Sequence, residues 1–174
     1  MSASPKFKFI EKSLIDILLL IVSNQNILRY IKYLNNDPLD PSLPNIQDNL
    51  INTNIILAPF DKNIVEVSEV KLFFYPLRSD LKSKALGKHI YMLDIICPIE
   101  YFLLDGRGEI RVIRIADEIT QMIDQKHITG IGELTIPEAF LSRLNNDTNY
   151  IIYSLPIEIN STSVKSWVDT YAKY

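Results

Sequence analysis

The chain has 174 residues, a formal net charge of −3, one cysteine and two histidines, and 47% of its residues are hydrophobic. That length suits one domain with a sizeable core, and the apolar share excludes a disordered or fibrous class. The acidic balance is wrong for a dedicated non-specific nucleic-acid binder, whose phosphate contacts call for a basic excess.

Residues 1–12 read as a basic N-terminal arm carrying Lys6 and Lys8, because termini without periodicity usually fray. From Ser13, a plausible N-cap, Leu14, Ile17, Leu18 and Ile21 recur at helical spacing. Asn24 can cap a second segment in which Ile27, Leu28, Ile31 and Leu34 repeat it, and the pattern fits one kinked helix or two. The apolar run from Leu14 to Val22 contains Asp16 and falls well short of the roughly twenty residues that span a bilayer. No membrane partner and no secretory leader are expected.

Asn35-Asn36-Asp37-Pro38 stops the helix. Asp40-Pro41 and Leu43-Pro44 keep the connection extended, since a residue before proline is pushed out of the helical region. Its Leu39, Leu43 and Ile46 predict that it lies on the body or on a neighbouring chain. Residues 51–57 and 70–75 read as strands ended by Pro59 and Pro76, and 79–87 as a loop.

Residues 88–97 read as a central strand, apolar on both faces apart from Asp94. Asp94 is either a buried carboxylate with a task or a charge at a sheet opening, paired with a lysine or arginine or facing a subunit contact. The second is the commoner case. Cys97, alone, forms no internal disulfide or cysteine metal site, and reads as core in a reducing compartment.

Gly106-Arg107-Gly108 predicts a turn. Val112, Ile115, Ala116, Ile119, Met122 and Ile123 then make a helical stripe that reads as core, starting nearer Arg114 because Val112 and Ile113 are β-branched. Arg107, Arg111 and Arg114 cluster at this helix start. They form a solvated basic face balanced by Glu109, Asp117 and Glu118, or the bidentate anchors of a subunit interface, Arg111 and Arg114 foremost, or they face a nucleic-acid passage in a ring.

Gly130-Ile131-Gly132 lacks the third glycine and the following helix of a dinucleotide loop, and opens a strand instead. Residues 149–159 form another strand, placed at an edge or bulged because Pro156 cannot donate to a ladder. Val164, Trp167, Val168 and Tyr171 fit one short helix face that needs something to pack on. The expected fold class is α+β: a mixed or mainly antiparallel sheet on a long N-terminal helix and a central helix. A core over 13–160 carries extended arms at 1–12 and 161–174, within one domain.

No Gly-x-Ser-x-Gly elbow, phosphate loop or paired-cysteine pattern is present, so no catalytic, cofactor-binding or metal residue is expected.

Two groups of residues carry a resemblance. One is Asn24-Gln25-Asn26-Ile27-Leu28-Arg29-Tyr30 with Asn36-Asp37-Pro38-Leu39. The other is Asp94-Ile95-Ile96-Cys97-Pro98, Arg111, Arg114-Ile115-Ala116-Asp117-Glu118-Ile119 and Thr129-Gly130-Ile131-Gly132-Glu133-Leu134. In this order the chain resembles tail terminators and related head–tail neck proteins of tailed bacteriophages. The resemblance implies a non-enzymatic virion subunit, made in the bacterial host cytoplasm. It would form a ring with copies of itself, commonly six, and cap the tail tube against neck or connector proteins. DNA would pass through the lumen without sequence-specific binding. Trp167 and Tyr171 are then candidate anchors on an adjacent protein, with the 37–45 connection and the N-terminus as further arms. Another neck or head-completion role is the near alternative. A small cytoplasmic ligand-binding domain or enzyme is the distant one, and it predicts a concave pocket converging on Asp94 or His89.

Overall fold

The computed structural model describes residues 8–35, 37–60, 68–80, 87–104, 108–128, 131–143 and 149–161. Within them the chain is α+β: three α-helices lie against one face of a mixed, curled half-barrel sheet.

The N-terminal apolar stripe makes two helices, not one long one. Helix α1 (Lys8–Ser23) and helix α2 (Gln25–Lys32) meet at an angle of 76°. The break is local chemistry at Asn24, which is extended (φ −89°, ψ 108°). Its side-chain oxygen accepts from the amides of Asn26 and Ile27, closing the first turn of α2. Ser13 is not a cap. It lies fully buried inside α1, its hydroxyl on Tyr91, so the helix begins inside the segment expected to be an arm. No single described helix is long and apolar enough to cross a membrane.

Strands follow as β1 (Ile55–Ile56), β2 (Lys71–Asp80), β3 (Gly87–Pro98), β4 (His127–Ile128), β5 (Gly132–Thr135), β6 (Phe140–Arg143) and β7 (Tyr150–Ser161). Helix α3 (Arg111–Ile123) crosses between β3 and β4. The sheet order is β1-β2-β3-β7-β5-β4, with β6 also on β7. Among the described strands only the β1–β2 pair is parallel.

The expected strand over 51–57 shrinks to two residues. Asn52 is left-handed (φ 67°), and the Leu50 carbonyl gathers the amides of Thr53, Asn54 and Ile55 into a turn. Pro76 does not end its strand, because a register shift between Pro76 and Arg78 absorbs the missing donor. Strand β7 is central rather than marginal. One side pairs with β3 along its whole length; the other is shared by β6, up to Ser154, and β5, from Glu158. Pro156 falls in the gap between them, where no strand asks for its N–H. Gly132 (φ 121°) opens β5 in a conformation that favours glycine.

Alternation along the central strands sorts two cores. Tyr91, Leu93, Ile95 and Cys97 of β3, with Leu155, Ile157 and Ile159 of β7, are fully buried beneath α1–α3. The opposite face carries a smaller cluster of Phe73, Ile96 and Ile152, with Phe60, Tyr75 and Tyr150 packed on it. No described helix covers that face, and the candidate site lies there.

Candidate functional site

Register builds the site one row at a time. Phe140 of β6 pairs with Ser154 of β7, Ser154 with Asp94 of β3, and Asp94 with Phe73 of β2. Paired residues point to the same side of a sheet, so this row places aromatic, hydroxyl, carboxylate and aromatic side by side. One row along, Tyr75 pairs with Met92. Phe60 closes the end, edge-on to Phe73 at 5.2 Å and to Tyr150 at 5.4 Å between ring centres. Between them lies an open hollow of about 240 Å³, lined by Phe60, Tyr75, Met92, Asp94, Phe140, Ile152 and Ser154.

Asp94 is its polar floor and is only 8% exposed. The Tyr75 hydroxyl donates to its Oδ2 at 2.9 Å, and the Ser154 hydroxyl donates to its Oδ1. Burial, then the bond to Asp94 and its charge, holds the Tyr75 phenol well above its ordinary pKa. Among the described residues no basic side chain bonds Asp94, so the lysine or arginine pairing that the sequence offered beside a subunit contact is not made by any of them. His89 lies on the helix-covered face with Tyr91, so it and Asp94 cannot act together across the sheet.

Arg111 and Arg114 have different surroundings. Arg107 lies outside the described residues. Arg114 is about a third exposed and makes long ion pairs, 3.4 Å to Glu109 and 3.3 Å to Asp117, of the kind that contribute little to stability. Arg111 is wholly buried, although the sequence offered it as an interface anchor or a solvated charge. Its Nε donates to the Tyr101 carbonyl at 2.8 Å. Nη1 donates to those of Tyr30 (2.7 Å) and Tyr33 (3.1 Å), and Nη2 to that of Leu34 (2.8 Å). Three of these carbonyls belong to the end of α2, where a helix leaves acceptors unpaired and its dipole is negative. Arg111 is therefore an internal clamp, and α3 starts at it rather than near Arg114. Trp167 and Tyr171 lie outside the described residues.

The connection after α2 lies on the body, one of the two places its apolar residues predicted, and is stitched to that helix instead of standing out as the arm the resemblance suggested. Arg29 donates through Nη2 to the carbonyls of Asp40 (2.7 Å) and Leu43 (2.6 Å), and Tyr33 donates to that of Pro44 (2.8 Å). Gln25 bonds both the amide and the carbonyl of Ile46. Asp37 and Asp40 each accept from an amide two residues on, which folds the segment into turns. This stretch has little reach left to offer a neighbour.

A pocket at Asp94 was expected only of the ligand-binding alternative, and its lining was hidden in the sequence. Asp94 showed as an exception on an apolar strand, but nothing local to it names Tyr75, Ser154 or Phe140. Those partners come from pairings 19 to 60 residues distant along the chain. Among the described residues no group of three His, Cys, Asp or Glu side chains is placed to hold a metal ion.

No curated protein matches the chain. The model of the YomW family, a name taken from a Bacillus phage SPbeta-like gene, matches residues 24–159. The match runs from the Asn24 cap of α2 into β7, and so covers the clamp, the sheet and the hollow. On that match, over most of its length, the chain belongs to the YomW family and is a phage-associated protein.

Proposed function

We propose that this chain is a non-catalytic structural subunit of a tailed-phage particle, of the tail-terminator or neck type. It assembles with copies of itself into a ring, six being the expected number, that joins the tail tube to the connector. The observation that carries the reading is membership of a phage-associated family, together with the build of the molecule. Among the described residues a helix-backed sheet leaves one face without a helix, and apolar groups stand on the surface: Leu19 (53% exposed), Ile99 (53%) and Leu103 (61%). Exposed apolar side chains in several places suit a subunit with several neighbours.

Mass spectrometry of gradient-purified particles of a phage encoding the chain tests the assignment. The chain is expected at ring copy number, and light scattering of the purified protein followed by negative-stain imaging is expected to show closed rings. Its absence from particles overturns the reading. Removal of residues 163–174 is expected to weaken assembly while leaving the monomer folded, if Trp167 and Tyr171 anchor on an adjacent protein.

A second reading, a ligand-binding module, is favoured by one observation. The concave hollow at Asp94 is the feature that reading requires. A monomer absent from particles would make it the better one.

A further inference from the structure

We infer that the hollow on the sheet face that no described helix covers is a receptor for an arginine side chain presented by a partner protein. An aspartate carboxylate has about four acceptor sites, two on each oxygen. Tyr75 takes one on Oδ2 and Ser154 takes one on Oδ1, which leaves acceptor capacity on both oxygens. A guanidinium fork fills two parallel acceptors on one carboxylate; an ammonium, a point charge, does not match that spacing.

The walls fit the same group. Phe60, Tyr75 and Phe140 are aromatic, and Met92 and Ile152 are apolar. Arginine stacks on aromatic faces, and its stem packs on apolar ones. No described basic side chain bonds Asp94, a buried carboxylate in that state costs solvation, and an incoming guanidinium offsets the cost. Among the described arginines, Arg29, Arg111 and Arg114 bond elsewhere in the chain, and Arg78, exposed on β2, is not part of the hollow's lining. The hollow is open, and Phe140 stands 38% exposed at its rim. That shape admits a side chain whose backbone stays on the surface.

The full chain with methyl-labelled Met92 and Ile152 would be titrated with the blocked tripeptide acetyl-Gly-Arg-Gly-amide and followed by NMR, with Met122 of α3 as an internal control. Saturable shifts are expected at Met92 and Ile152 and not at Met122. Affinity is expected to fall by about tenfold with lysine in place of arginine, and by at least that in Asp94→Asn, because both lose the charged bidentate pair. Phe140→Ala, at an exposed position, keeps the test valid if Asp94→Asn does not fold. It removes one stacking wall and is expected to weaken binding several-fold. Absence of saturation, equal binding of a norleucine tripeptide, or unchanged binding in Phe140→Ala overturns the proposal. So does binding of agmatine without binding of the tripeptide, since the source would then be a small molecule.

Discussion

Arg111 and Glu118 stand about two turns apart on α3 and hold opposite ends of α2. The guanidinium of Arg111 takes the terminal carbonyls of Tyr30, Tyr33 and Leu34. The carboxylate of Glu118 accepts from the amide groups of Asn24 (3.2 Å) and Asn26 (3.0 Å) at the other end. Each charge therefore faces the pole of α2 that attracts it, positive at the C-terminus and negative at the N-terminus. The two helices are antiparallel and cannot slide along one another without losing both grips.

Arg111→Ala is expected to cost about 3 kcal/mol or more, because it takes the charged donor from four carbonyls, that of the fully buried Tyr30 among them. Arg111→Lys should recover little of this, since one ammonium cannot serve four acceptors spread over two segments. Urea unfolding of each variant checks it. A loss below about 1 kcal/mol for Arg111→Ala would contradict the clamp.

Asn24→Ala removes both the cap and one of the bonds to Glu118, and is expected to cost about 1–2 kcal/mol. The double variant with Glu118→Ala should cost less than the two single losses added, because the residues share one interaction. Denaturation midpoints of the four proteins give the coupling directly. Strict additivity would show that Glu118 acts without Asn24.

Some of this was legible in one dimension. The Asn24 break, the α3 stripe and the central β3 strand follow from capping chemistry and periodicity, which are local. The roles of Arg111 and Glu118 are not local. A charged residue at a helix start reads as solvated until the helix it meets is known, and α2 lies 77 to 94 residues away along the chain. The same holds for Asp94, whose partners lie on three other strands. The centrality of β7 is hidden in the sequence for a related reason. Pro156 normally forbids a central position, and only the gap between β5 and β6 permits it.

Stability is expected to fall as pH rises above 9. Burial pushes the Cys97 thiol from 9.0 up to about 12, and the Tyr91 phenol from 10.0 up to about 12. Both groups are thus protonated in the fold at pH values where the unfolded chain releases them. The unfolded state then binds fewer protons, and stability drops by up to about 1.4 kcal/mol per pH unit for each group. The contribution is intact below pH 9 and is lost through pH 12, Cys97 first. Unfolding midpoints from pH 7.5 to 11 check this, and Tyr91→Phe should flatten the curve above pH 10. An unchanged slope in that variant would remove Tyr91 from the account.

His89 gives the acid side. Burial lowers its pKa, so the unfolded chain takes up a proton that the fold resists, and stability falls as pH drops below about 6.5. His89→Gln should reduce the dependence between pH 7 and 5, as read from thermal midpoints. A variant with the same acid profile as the parent would assign the loss to other groups.

Arg29→Ala tests whether the connection after α2 is held down by that helix or by its own turns. Arg29 is largely buried and its Nη2 bridges the carbonyls of Asp40 and Leu43, so truncation leaves two acceptors without their charged donor. Charge-assisted bonds of this kind contribute about 1.5–3 kcal/mol each. The loss should be confined, because the turns at Asp37 and Asp40 close on their own side chains and the sheet does not depend on them. Amide exchange is therefore expected to accelerate over residues 38–46, with β3 and β7 keeping their protection. Faster exchange throughout the sheet would mean instead that the connection and the core open as one unit.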